Sequence, residues 1–155
     1  YLSNESTAHT LAVLDGDVYG SRAERRNRVK ATFTGNQAIH KSQRNDLMRM
    51  VRTLSPLKNV AGQPLSPEQV LHRMLHGLAA TDIPADRAEL HGIALSIANA
   101  PERHSLVNKI IEFTGESREI ALSKIVELAS LSKDWSQYTR IVRIWLLKQK
   151  AELGL

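Results

Sequence analysis

Residues 11–14, Leu-Ala-Val-Leu, form an apolar run that stops at Asp15-Gly16-Asp17, and no other stretch narrows the possible folds as much. An apolar run containing a β-branched residue and ending in acids reads as a buried strand whose last residues emerge at the carboxyl edge of a sheet. Open α/β sheets keep their chemistry at that edge. Asp15 and Asp17 are two apart, so in extended geometry their side chains leave the same face. Gly16 between them leaves room for a ligand to approach. Two carboxylates on one face repel each other unless a cation lies between them, and hard oxygen donors suit Mg²⁺ or Mn²⁺. Asp-Gly is also a common turn dipeptide, so the same residues read as an acidic turn after a strand.

Downstream the periodicity is helical. Ser21 is placed to cap a helix from Arg22 to about Thr32, and Gly35 breaks the stretch 32–36. A second basic helix is predicted from Gln37 to Leu54, with Ile39, Leu47, Met50, Val51 and Leu54 as its apolar stripe and Ser55-Pro56 as its end. Leu57 to Ala61 reads as a further short strand. Ser66-Pro67-Glu68 is a helix start, with Ser at the N-cap, Pro in the first helical position and an acid in the first turn. That helix carries Val70, Leu71, Met74, Leu75 and Leu78 on one face. Further helices are predicted over 86–99, 101–114, 117–131 and from Ser132 toward Leu153. The expected fold is α/β: one or two parallel strands with a predominantly helical C-terminal half. So little sheet for so many helices suggests that preceding chain completes it, and the sequence, which does not begin with Met, reads as a fragment.

Charge is distributed unevenly. Residues 1–20 hold three acids and no Lys or Arg, whereas residues 21–60 hold ten Lys or Arg against two acids. An acidic strand end followed by a cationic segment couples cation-binding carboxylates to a field that attracts polyanions. A solvated basic helix face has the same composition. The absence of cysteine excludes disulfides, thiolate catalysis and cysteine-zinc sites and fits a reducing, cytoplasmic compartment. No apolar run approaches the ~18 residues of a membrane span.

Leu14-Asp15-Gly16-Asp17-Val18-Tyr19-Gly20, the basic segment after it, Leu57-Lys58-Asn59-Val60 and Pro64-Leu65-Ser66-Pro67-Glu68-Gln69-Val70-Leu71 together resemble the C-terminal Toprim domain of OLD-family ATP-dependent nucleases. This family includes proteins of defence systems such as Gabija and certain retrons. The likeness covers about residues 10–78 and continues more loosely through Pro101-Glu102-Arg103-His104 and Ser132-Lys133-Asp134-Trp135. It implies a two-metal site for Mg²⁺ or Mn²⁺, with Asp15 and Asp17 on one ion and Ser66 and Glu68 on the second. It also implies a transition-state lysine, best matched by Lys133, with Lys124 and Lys148 as alternatives. Glu102 and His104 resemble an acid-histidine pair of some members. Arg22, Arg25, Arg26, Lys30, Lys41 and Arg44 would hold the DNA backbone without reading sequence.

On this resemblance the chain is a DNA endonuclease lobe in anti-phage defence, partnered by an ATPase region in the same chain or complex and forming a homo-oligomer. Residues 1–80 would be the metal-binding part and 81–155 the helical remainder. The family's further glutamate, from an earlier strand-to-helix turn, is expected upstream of Tyr1, because Glu5 lies too close to Asp15 to supply it. No Gly-x-x-x-x-Gly-Lys-Ser/Thr occurs in the sequence. The alternative is a non-catalytic helical module that binds nucleic acid or a partner protein through residues 22–52. Another Toprim chemistry, as in primases or topoisomerases, is a second, although nothing marks Tyr19 or Tyr138 as a nucleophile.

His72 and His76 are four apart and share a helix face, but no glutamate stands between them, so the metalloprotease pattern fails. We read them as structural. Trp135, Tyr138 and Trp145 read as core rather than as base-stacking platforms.

Overall fold

The computed structural model describes residues 11–14, 19, 21–32, 34–54, 57–97, 105–152 and 154. Its elements run β1 (Ala12–Leu14), α1 (Arg22–Thr32), α2 (Ala38–Met50), β2 (Val51–Thr53), α3 (Pro67–His76), α4 (Ala88–Ser96), α5 (Ser105–Thr114), α6 (Arg118–Ala129), α7 (Trp135–Tyr138) and α8 (Arg140–Glu152). The fold is α/β, with a two-stranded parallel sheet and a helical C-terminal half. The chain divides into two compact units, Tyr1–Pro56 with Thr139–Leu155, and Leu57–Tyr138. The boundary near residue 80 drawn from sequence therefore falls inside the second unit. Among the described residues no helix is long and apolar enough to cross a membrane.

In the first unit, β1 and β2 pair parallel with Ala12 opposite Val51, Val13 opposite Arg52 and Leu14 opposite Thr53. Parallel strands need a crossover connection, and α1 and α2 are contained in it. Leu14 and Thr53 therefore end at the same edge of the sheet. The helix predicted through Leu54 stops at Met50 instead, because Val51 turns extended (φ −77°, ψ 126°) and enters the strand directly. Val51 and Thr53 are β-branched and suit a pleated surface, and the ladder to β1 replaces the helical hydrogen bonds they forgo. The strand predicted over 57–61 is reduced to a bridge between Lys58 and Pro64. Asn59 organises this turn, its Oδ1 accepting from the Ala61 and Gln63 amides at 3.0 and 2.9 Å, while Gly62 takes φ 78°.

The second unit packs α3 against α4, α5 and α6. α3 starts as its sequence predicts: Ser66 Oγ accepts from the Gln69 amide, and Gln69 Oε1 accepts from the Ser66 amide at 3.0 Å. This capping box satisfies two amide donors. Val70, Met74 and Leu75 on α3, Leu106, Val107 and Ile110 on α5, and Ala121, Ile125, Leu128 and Ala129 on α6 are almost wholly buried. α5 ends at Gly115, whose φ of 67° suits a glycine after a helix. Ser117 then caps α6, its Oγ accepting from the Ile120 amide.

The single last helix predicted from Ser132 is instead two. α7 ends at buried Tyr138, which closes the second unit. The Thr139 carbonyl then accepts from the Val142 and Arg143 amides as α8 begins. Of the three aromatic residues read as core, Tyr138 is buried, while Trp135, 6.3 Å from it between ring centroids, and Trp145 are half-buried.

Candidate nucleic-acid interface

The basic segment folds as two helices whose cations line clefts between them. α1 is fixed by a capping box: Ser21 Oγ accepts from the Glu24 amide at 3.1 Å, and Glu24 Oε2 accepts from the Ser21 amide at 2.7 Å. The Ser21 amide first, and the Ser21 hydroxyl after it, hold the Glu24 carboxyl below the usual carboxylate range. Glu24 is the only acid on α1, and capping engages it at the helix start. Asp46 is the only acid on α2; it pairs with Arg49 at 3.4 Å.

Positions recurring at three and four residues share a helix face. Arg22, Arg25, Arg26, Val29 and Lys30 make one such face on α1. Lys41, Arg44, Asn45, Met48 and Arg49 make another on α2. Where the two meet, one cleft of about 340 Å³ is walled by Arg26, Lys30, Lys41 and Arg44, with Val29, Met48 and Asn45 completing it. A second, wider cleft of about 520 Å³ is walled by Arg22, Arg25, Arg49 and Arg52 and shares Asn45 and Met48 with the first. The late turns of α1 thus face the early turns of α2, and the reverse, as in an antiparallel helical hairpin. Among the described residues no carboxylate lines either cleft.

Three of the arginines are anchored to backbone. Arg25 Nη1 donates to Tyr19 O at 3.2 Å and approaches Thr53 Oγ1 at 3.4 Å, tying the wider cleft to the carboxyl edge of the sheet. Arg52 Nη1 donates to Val51 O at 2.9 Å. Arg44 Nη1 donates to Gly35 O at 2.5 Å, while the His40 ring lies so close to Gly35 that a β-carbon there would force the ring to move. Arg22, Arg26, Lys30 and Lys41 are exposed and make no ion pair among the described residues. Their charge is available to an external anion.

All six basic residues singled out in the sequence line these clefts. Arg49, Arg52 and Asn45 were not singled out, although Arg44, Asn45, Met48, Arg49 and Arg52 continue one stripe at spacings of three and four.

Comparison with protein-family models, with curated proteins and with solved structures finds no match to this chain.

The remaining residues implied by the resemblance are placed differently. Asp15 and Asp17 lie outside the described residues, as do Glu102 and His104. Ser66 and Glu68 belong to the second unit. Ser66 is 4% exposed and its hydroxyl caps α3, while Glu68 is 9% exposed and its Oε1 accepts from the Val107 amide at 2.8 Å. Glu68 thus sits in the first turn of α3 and caps the first turn of α5, where negative charge is favoured. Metal coordination by Ser66 and Glu68 would compete with these bonds, so their surroundings fit helix capping better than a second ion. Lys133 is exposed in the turn before α7. Lys124 pairs with Glu116, and Lys148 lies 3.7 Å from Glu152.

The histidines on α3 serve structure. His72 Nε2 donates to Ile97 O at 2.7 Å and His76 Nε2 to Ala94 O at 3.1 Å, both carbonyls at the end of α4. His91 on α4 returns the contact, donating to Leu75 O near the end of α3 at 2.9 Å. A carbonyl only accepts, so each Nε2 carries a proton. Burial pushes the His72 pKa below its ordinary value; its bond to Ile97 opposes this, His76 adds to the depression and Glu68 opposes it. A depressed histidine pKa means that the unfolded chain takes up the proton first on acidification. The His72 contribution is therefore complete above the unfolded value of about 6.5 and is lost as pH falls from there toward the folded value. Thermal unfolding is expected at lower temperature at pH 5.5 than at pH 7.5. His72→Gln, which keeps a donor but does not titrate, should narrow that difference; an equal difference in both proteins would rule His72 out as its source.

Proposed function

We propose that this chain is the DNA-handling lobe of a metal-dependent endonuclease that works in the cytoplasm with an ATPase region in the same chain or complex, in defence against phage. One observation carries the reading: cationic clefts whose described lining holds no carboxylate reach, through Arg25 and Thr53, the carboxyl edge of the parallel strands, where Asp15 follows Leu14 in the chain. The cations of α1 and α2 bind the phosphodiester backbone electrostatically, without base readout. Mg²⁺ or Mn²⁺ held by Asp15 and Asp17 would supply an activated water and charge neutralisation at phosphorus. Lys133 is the proposed cation for the transition state, and a homo-oligomer the proposed assembly.

The capping roles of Ser66 and Glu68 favour a second reading, a nucleic-acid-binding module that does not cut. Asp15→Ala combined with Asp17→Ala separates the two. The nuclease reading expects Mg²⁺- or Mn²⁺-dependent cleavage of DNA by the parent protein, with its ATPase region present, and loss of cleavage with retained DNA binding in the double variant. Binding without cleavage by the parent establishes the second reading.

A further inference from the structure

The two clefts differ in a way that uniform backbone binding leaves unused. The narrower cleft gathers Arg26, Lys30, Lys41 and Arg44 around about 340 Å³ and is the more enclosed of the two. Val29, 5% exposed, and Met48 give it an apolar floor. Lys30 lies in the last turn of α1 and Lys41 near the start of α2, so both ammonium groups belong to the end of the hairpin where the helices connect. Arg44 is tied there too, through Gly35 O.

An internal phosphodiester carries one negative charge on two free oxygens. A phosphomonoester carries about 1.5 to 2 charges at neutral pH and three acceptor oxygens. Three exposed cations beside a backbone-tied arginine, with no acid among the described lining residues, match the second better than the first. The volume is that of a small-ligand site, and the Val29–Met48 floor can meet the face of a terminal sugar or base. The wider cleft is the more open, and two of its four arginines, Arg25 and Arg52, are bonded to backbone carbonyls against Arg44 alone in the narrower one; it suits a continuous diester backbone.

We propose that the narrower cleft binds the terminal phosphomonoester of a DNA strand, with the backbone behind it lying along the wider cleft. This rests on the DNA-binding reading and adds a preference for ends to it. The test is fluorescence anisotropy of the whole protein, in EDTA, with internally labelled duplexes ending in 5′-phosphate, 3′-phosphate or hydroxyl only. One phosphorylated end should bind about tenfold more tightly than the hydroxyl end, the scale of one or two added charge-assisted hydrogen bonds.

Lys30→Gln with Lys41→Gln, both exposed positions, should erase that preference. Arg22→Gln with Arg49→Gln should weaken all duplexes alike and leave it intact. Equal binding of phosphorylated and hydroxyl duplexes overturns the end preference while DNA binding stands, whereas no binding of any duplex overturns DNA binding itself. Displacement of the phosphorylated duplex by free dAMP at the affinity of the end itself would make the site one for free nucleotide and overturn the strand-end assignment.

Discussion

Changing Arg22, Arg26, Lys30 and Lys41 together to Gln is expected to lower affinity for a DNA duplex by roughly a hundredfold or more at about 0.1 M salt. These four cleft cations are exposed at the surface and outside ion pairs among the described residues. Their loss removes phosphate contacts without breaking the anchors made by Arg25, Arg44 and Arg52. Each phosphate contact contributes about 0.9 to the slope of log affinity against log salt, so the slope should flatten by about three to four. Circular dichroism should remain that of the parent. Affinity and slope measured by titration over a range of salt decide the matter: an unchanged slope means that DNA, if bound, is bound elsewhere.

Glu68→Ala is expected to destabilise the second unit by about 2–3 kcal/mol, the scale of a buried charge-assisted hydrogen bond lost with its acceptor. The Val107 amide, in a fully buried residue, loses the oxygen that satisfies it. Folded domains are stable by only about 5–15 kcal/mol, so urea denaturation will resolve the change. Glu68→Gln keeps an oxygen acceptor in the same place and should retain much of the stability. If Glu68 were chiefly a metal ligand, both variants would fold like the parent in EDTA, and any stabilisation of the parent by Mg²⁺ would be missing from them.

Local chemistry was legible where the residues that specify an element are its own neighbours. Ser21 and Glu24, and Ser66 and Gln69, define helix starts within four positions, and α1 begins and ends at the residues expected of it. β2 was hidden because its partner, β1, lies almost forty residues away and because Val51 also fits the apolar stripe of the preceding helix. The break at Thr139 was hidden for a related reason: apolar spacing runs on through it, and only the burial of Tyr138 in the second unit marks the end of α7.

The candidate site divides along the same line. The charge of residues 22–52 was plain, yet which cations share a cleft follows from the antiparallel meeting of α1 and α2. Arg49 and Arg52 enter the site through that geometry. The capping role of Glu68 was hidden because its partner is a backbone amide 39 residues away, invisible to any motif.

The three histidines between α3 and α4 bear on how the helical unit opens. Helix ends ordinarily come loose one at a time. Here the final carbonyls of each helix are held by imidazoles rooted in the other, so neither end can unwind without releasing its neighbour's. Unravelling from these termini must therefore be a joint event, and acid, by charging His72 of α3 where it holds the end of α4, acts on both helices at once.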